Sequence, residues 1–162
     1  MKKLLNWLEA RADNVAVGLL AAMFLAFVLQ IVSRYVLNSP LGWTLEACLI
    51  SWVWVVFWGS AFLVNDQEHV RFDILYSSAS TRVRKIFALI AAIAIAGAFL
   101  TSLPATYDFI SFMQIEKSSV LGIRLDYVFS VYLIFAIAII VRYGARIVAI
   151  FTGKFGEPER RL

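Results

Sequence analysis

The sequence predicts an all-α integral membrane protein with four transmembrane helices, and three observations carry that prediction. Apolar residues make up 62% of the 162-residue chain and the mean hydropathy is +0.81, well above soluble domains. Residues 14–33, 47–64, 86–107 and 128–141 contain no charged side chain, and a hydrocarbon core of about 30 Å needs roughly 20 apolar residues at 1.5 Å rise. These stretches are also not amphipathic. Residues 47–64 interrupt bulky apolar side chains only with Cys48, Ser51, Gly59 and Ser60, whereas a soluble helix would alternate an apolar stripe with a polar face. The spans are expected at about 14–34, 45–64, 86–107 and 127–148, in one domain covering residues 1–162.

The N-terminal stretch places Leu4, Leu5 and Leu8 on one face, beside Trp7, with Lys2, Lys3, Glu9 and Arg11 at polar positions. It has no secretory cleavage pattern. It reads as an interfacial helix over about 3–12, lying on the membrane surface before span one. Arg34 closes span one, and Asn38-Ser39-Pro40-Leu41-Gly42 makes a tight turn. Trp43 belongs at the headgroup level. Thr44 is the expected N-cap of span two, with Glu46 in the first turn where the helix dipole favours a carboxylate. Arg34 and Glu46 then emerge at one depth on antiparallel neighbours. They either pair across the hairpin or each meets water and headgroups.

Within span two, Trp54 and Trp58 share a face one turn apart, suited to a partner groove or to lipid, while Trp52 lies elsewhere. The following connection carries Phe72, Ile74, Leu75 and Tyr76 between charged clusters and reads as a surface helix over about 68–82. His69 and Asp73 stand four apart there and can pair. Span three repeats Ala88, Ala92 and Ala96 at four-residue spacing. Small residues so placed let backbones approach closely, so this face is expected against another helix, in the same chain or in a partner. Residues 108–126 form a polar connection. Span four follows, extended by the long stems of Arg142 and Arg146.

Lys and Arg set the orientation. Lys2, Lys3 and Arg11, then Arg71, Arg82, Arg84 and Lys85, then Arg142, Arg146, Lys154, Arg160 and Arg161 fall on one side, leaving Arg34, Lys117 and Arg124 on the other. Twelve of fifteen basic residues on one side predict cytoplasmic N- and C-termini, and an even number of spans agrees. The net charge of +4 therefore reflects attraction to an anionic cytoplasmic leaflet and requires no nucleic acid.

Several chemistries find no support. A single cysteine, Cys48, allows neither an internal disulfide nor Cys-x-x-Cys chemistry. The lone histidine, His69, has only Asp66, Glu68 and Asp73 nearby, short of a zinc site. No phosphate-binding glycine loop or nucleophile elbow is present, and no cofactor is expected. Autonomous pumps keep ionisable groups deep in their spans; here none falls mid-span, and Gln30 and Thr101 read as packing groups. An autonomous four-helix transporter, or a membrane-bound transferase acting as a homo-oligomer, is the alternative. A non-catalytic partner subunit is the stronger expectation.

Residues 33–73 carry the identity. Ser33-Arg34-Tyr35, Ser39-Pro40-Leu41, Trp43, Glu46, Gly59, and Gln67-Glu68-His69-Val70 with Asp73 form an ordered set. In spacing and position it resembles the small membrane subunit (DctQ-like) of tripartite ATP-independent periplasmic (TRAP) transporters. Length, four spans and cytoplasmic termini are similar too. The resemblance implies a division of labour in a bacterial inner membrane. A periplasmic solute-binding protein would capture an organic acid, and a large membrane subunit (DctM-like) would hold the sodium and solute sites. The small subunit would pack against that larger scaffold and stabilise it in the lipid bilayer.

Overall fold

A computed structural model describes residues 2–63 and 81–152. It contains four long helices, α1 (Lys2–Tyr35), α2 (Gly42–Phe62), α3 (Thr81–Phe112) and α4 (Leu125–Phe151). Each holds a stretch long and apolar enough to cross a bilayer: Ala10–Tyr35, Gly42–Phe62, Lys85–Phe112 and Leu125–Phe151. The expected four spans are all present, and the protein is a multi-pass, all-helical membrane protein. The surface helix expected over 68–82 lies, up to residue 80, outside the described residues.

The N-terminal segment departs from expectation. Residues 3–12 do not form a separate helix; they continue unbroken into span one as part of the 34-residue α1. The junction Glu9-Ala10-Arg11-Ala12-Asp13 contains no glycine or proline, and these residues support helix more readily than a break. At 1.5 Å per residue α1 is about 51 Å long, against a hydrocarbon core of about 30 Å. Its apolar span begins only at Ala10, so the first two turns precede the membrane-crossing stretch.

The helices lie side by side in the spatial order α1, α2, α4, α3: α1 packs on α2, α2 on α4, and α4 on α3. The chain order is thus not the spatial order, because the last helix occupies the place between the second and the third. Small side chains mark the contact lines. Ala12 and Ala16 are buried on α1, Ala61 on α2, Ala88 and Ala92 on α3, and Val128, Val131, Ala136, Ala138 and Ile139 on α4. Burial by small residues follows from the solvent. Lipid tails are as apolar as leucine, so helices gain from close backbone approach and polar bonds rather than from hiding bulk. The bulk accordingly faces outward: Phe24, Leu25, Leu49, Trp52, Phe87, Ile90 and Leu100 are all more than half exposed.

Pro104 sits inside α3 and removes one backbone donor. The turn before it is braced by hydroxyls. Thr101 Oγ1 donates to the carbonyls of Gly97 (2.9 Å) and Ala98 (3.0 Å), and Ser102 Oγ to that of Phe99 (3.0 Å).

Candidate functional site

The residues that fix the architecture collect on three surfaces: the α1–α2 seam, the α3–α4 seam, and the end of the layer that carries the two short connections.

On the α1–α2 seam, Thr44 does not cap its helix. Residue 41 is the N-cap, with extended backbone and no side-chain bond, and Thr44 lies inside the first turn with none of its surface exposed. Its hydroxyl is shared between Gln30 Oε1 on α1 and the carbonyl of Leu41, at 2.7 Å from the latter. Gln30 and Ser33 are buried beside it. Further along, Cys48 Sγ lies 3.5 Å from the carbonyl oxygen of Met23, and Trp58 Nε1 donates to that of Ala12 at 3.1 Å. Trp58 also packs on Phe62, ring centroids 4.6 Å apart. One tryptophan of the expected pair is therefore tied to α1; Trp54 is half-buried.

Arg34 and Glu46 do not pair. Arg34 is exposed, with its guanidinium 5.9 Å from the ring centre of the adjacent Tyr35. The Glu46 carboxylate instead accepts the backbone N–H groups of Val120 (3.1 Å) and Leu121 (2.6 Å), in the connection between α3 and α4. The reason is rotational. Two residues along an α-helix turn it by about 200°, so when Thr44 faces α1, Glu46 must face away from it. Val120 also lies against Gly42, its methyl carbons 3.6–3.8 Å from where a Cβ would stand. The two connections form one clasp. Beside it, Arg124 and Asp126 form a bidentate pair at 3.1 and 2.7 Å, which raises the arginine pKa above its ordinary value. Pro40 and Trp43 are exposed at this end.

On the α3–α4 seam, Ala88 and Ala92 are buried and Ala96 half-buried. The aromatic rings cluster there. Phe135 packs on Phe99 (5.7 Å) and on Phe57 of α2 (5.4 Å), and Phe109 on Phe129 (5.8 Å). At the opposite end of the layer, Arg142 of α4 donates to the carbonyl of Ala61 at 2.7 Å, near the C-terminus of α2. A cation there satisfies a terminal carbonyl and complements the helix dipole. At Gly59 an added Cβ would meet nothing within 4 Å. Gln67, Glu68, His69 and Asp73 lie outside the described residues.

The Gln30–Thr44 contact, the Glu46 clasp on Val120 and Leu121, the Trp58–Ala12 and Cys48–Met23 contacts and the Arg142–Ala61 bond are contacts that sequence reasoning did not assign. The available signal was symmetry: Gln30 and Thr44 stand equally far from Leu37 in the turn, so they come to one depth when the chain folds back.

A family described as tripartite ATP-independent periplasmic transporters, DctQ component, matches residues 23–153. The chain is 33% identical over 72 residues to the C4-dicarboxylate TRAP transporter small permease protein DctQ of Vibrio cholerae, covering 44% of this chain and 31% of that one. It is 37% identical over 67 residues to the sialic acid TRAP transporter permease protein SiaT of Haemophilus influenzae, covering 41% and 11%. It is 27% identical over 75 residues to a putative TRAP transporter small permease protein of the same species, covering 46% and 47%. The matched segment is less than half the length of each of these relatives. The family match runs through α2, α3 and α4 entirely and the C-terminal part of α1, and the chain belongs to the DctQ component family of tripartite ATP-independent periplasmic transporters.

Proposed function

We propose that this protein is the small membrane subunit of a TRAP importer in a bacterial inner membrane, with cytoplasmic N- and C-termini. In this role it packs against the scaffold of a large membrane subunit and stabilises it. The imported solute is an organic acid handed over by a periplasmic solute-binding protein, and the sodium and solute sites lie on the large subunit. The chain itself catalyses nothing and binds no cofactor.

The observation that carries this reading is the single layer of helices. Among the described residues α1 and α3 are edges, each packed mainly on one neighbour, and large apolar side chains from all four helices lie exposed. Among the described residues, a layer one helix thick leaves no enclosed path between its own helices, but it offers a broad face to a larger membrane protein. The charge distribution supports the orientation, since twelve of fifteen basic residues fall on one side. The SiaT match supports the partner. Its 67 residues are 11% of that chain, so a segment like this one occurs there within a far longer transporter polypeptide.

The test is purification of the tagged chain from native membranes in mild detergent, with bound proteins identified and their stoichiometry measured. A many-span protein in one-to-one ratio is the expected result. A homodimer or trimer with no such protein would overturn the proposal and leave an autonomous transporter or a membrane-bound transferase to be tested.

A further inference from the structure

The connection 113–124 combines two properties that a solvated loop does not need. The first is internal satisfaction of its backbone. Gln114, Ile115 and Glu116 donate to the carbonyls of Ser111, Phe112 and Met113 as the chain leaves α3. A short antiparallel bridge then joins Lys117 and Arg124, with Ser118 N–H on the carbonyl of Ile123 and Leu125 N–H on that of Glu116. Gly122, at φ +66°, turns the tip and donates to the carbonyl of Ser118. Ile123 N–H donates to Ser118 Oγ, and Val120 and Leu121 donate to Glu46. Nine backbone donors between residues 114 and 125 thus have partners inside the protein.

The second property is an apolar outer surface. Ile115 is 76% exposed and Val120 58%, with Leu121 and Ile123 also exposed. This surface continues into Phe112 and Tyr127 at the adjoining helix ends, which are likewise exposed and lie where interfacial aromatics gather. The charges do not oppose the arrangement: Glu116 and Lys117 offset each other, and Arg124 is paired with Asp126.

Irregular backbone is tolerated near hydrocarbon only where its polar groups are satisfied by protein. An exposed apolar surface continuous with lipid-facing helix ends calls for a cover of the same chemistry. We propose that residues 113–124 form a membrane-interface element, lying in the headgroup layer with Ile115 and Val120 against phospholipid rather than projecting as a water-exposed landing site for a soluble protein. Glu46 is the positioning residue, because its carboxylate holds the tip in the fold that hides the Val120 and Leu121 N–H groups.

The inference requires only that the helices span a bilayer, so it survives even if the large partner subunit is never found. The experiment uses the full chain in phospholipid nanodiscs, with Cys48→Ala removing the native thiol. Single cysteines are introduced as Ile115→Cys, Val120→Cys and, for a mid-span reference, Phe24→Cys, each carrying an environment-sensitive fluorophore. Quenching is measured with headgroup-level nitroxide lipid, deep-chain nitroxide lipid and aqueous iodide. Labels at 115 and 120 are expected to be quenched roughly threefold more by the shallow lipid probe than by iodide, with the label at 24 responding to the deep probe. Strong iodide quenching at 115 and 120 without lipid quenching would overturn the proposal. So would protection from iodide that appears only when a soluble periplasmic binding protein is added, since that would mark a protein-docking surface.

Discussion

The two seams at the edges of the layer hold together by different means. α1 and α2 are joined by polar bonds: the Gln30–Thr44 contact, the Trp58 donor on the Ala12 carbonyl, and the Cys48 thiol near Met23. α3 and α4 are joined by shape, with buried Ala88 and Ala92 and interlocked aromatic rings around Phe135. Both answer the same physical problem. In lipid an apolar side chain gains little by leaving hydrocarbon, so a helix pair needs either hydrogen bonds that lipid cannot offer or contacts closer than lipid can make. The first solution tolerates changes of size and fails on loss of a donor. The second tolerates loss of polarity and fails on a change of volume.

That contrast can be broken deliberately. The largest effect is expected from Ala92→Leu, which forces a branched side chain into a fully buried position of the α3–α4 seam. It should cost about 1–3 kcal/mol, read as lower thermal stability in nanodiscs. Thr44→Val is nearly isosteric but removes the hydroxyl. It should cost about 1–2 kcal/mol by leaving Gln30 unpaired, and adding Gln30→Leu should recover part of the loss. No recovery in the double variant would show that the polar contact does not hold the seam. Trp58→Phe should cost only ~0.6 kcal/mol, the average for a membrane hydrogen bond, measured by the same unfolding assay. Smallest in global terms is Glu46→Gln. It should leave overall stability nearly unchanged while speeding amide exchange at Val120 and Leu121, because a neutral amide is a weaker acceptor than a carboxylate. Unchanged exchange at both amides would remove Glu46 from its role in the clasp.

Much of the fold was legible because its cause is one-dimensional. Length and apolar content decide whether a helix can span, and the four spans follow from the sequence to within a few residues of the observed ends. What was not legible depends on rotation about the helix axis and on order across the membrane plane. Depth brought Arg34 and Glu46 together on paper, but the seating of Thr44 against α1 turned Glu46 to the other connection. Gln30 reads as a packing group and Thr44 as a helix cap when each helix is taken alone; their partnership exists only once the hairpin closes. The place of α4 between α2 and α3 left no mark in hydropathy, since lipid-facing and helix-facing apolar residues are chemically alike. Alanine was the faint exception, because a small residue loses little to lipid and gains much at a close contact.

The order α1, α2, α4, α3 also bears on how the chain is made. Synthesis proceeds from the N-terminus, so the first hairpin can close while later residues are still being added. The third helix then enters the membrane before its packing partner α4 has been translated. Until that helix has emerged, α3 has no partner for its alanine seam or its aromatic rings. Among the four described helices, closing of the layer therefore waits for α4, and chains cut within α4 would present a gap between α2 and α3 rather than a frayed edge. Quality-control proteases that sense loosely held membrane helices would meet such products as an unanchored third span beside an intact first hairpin.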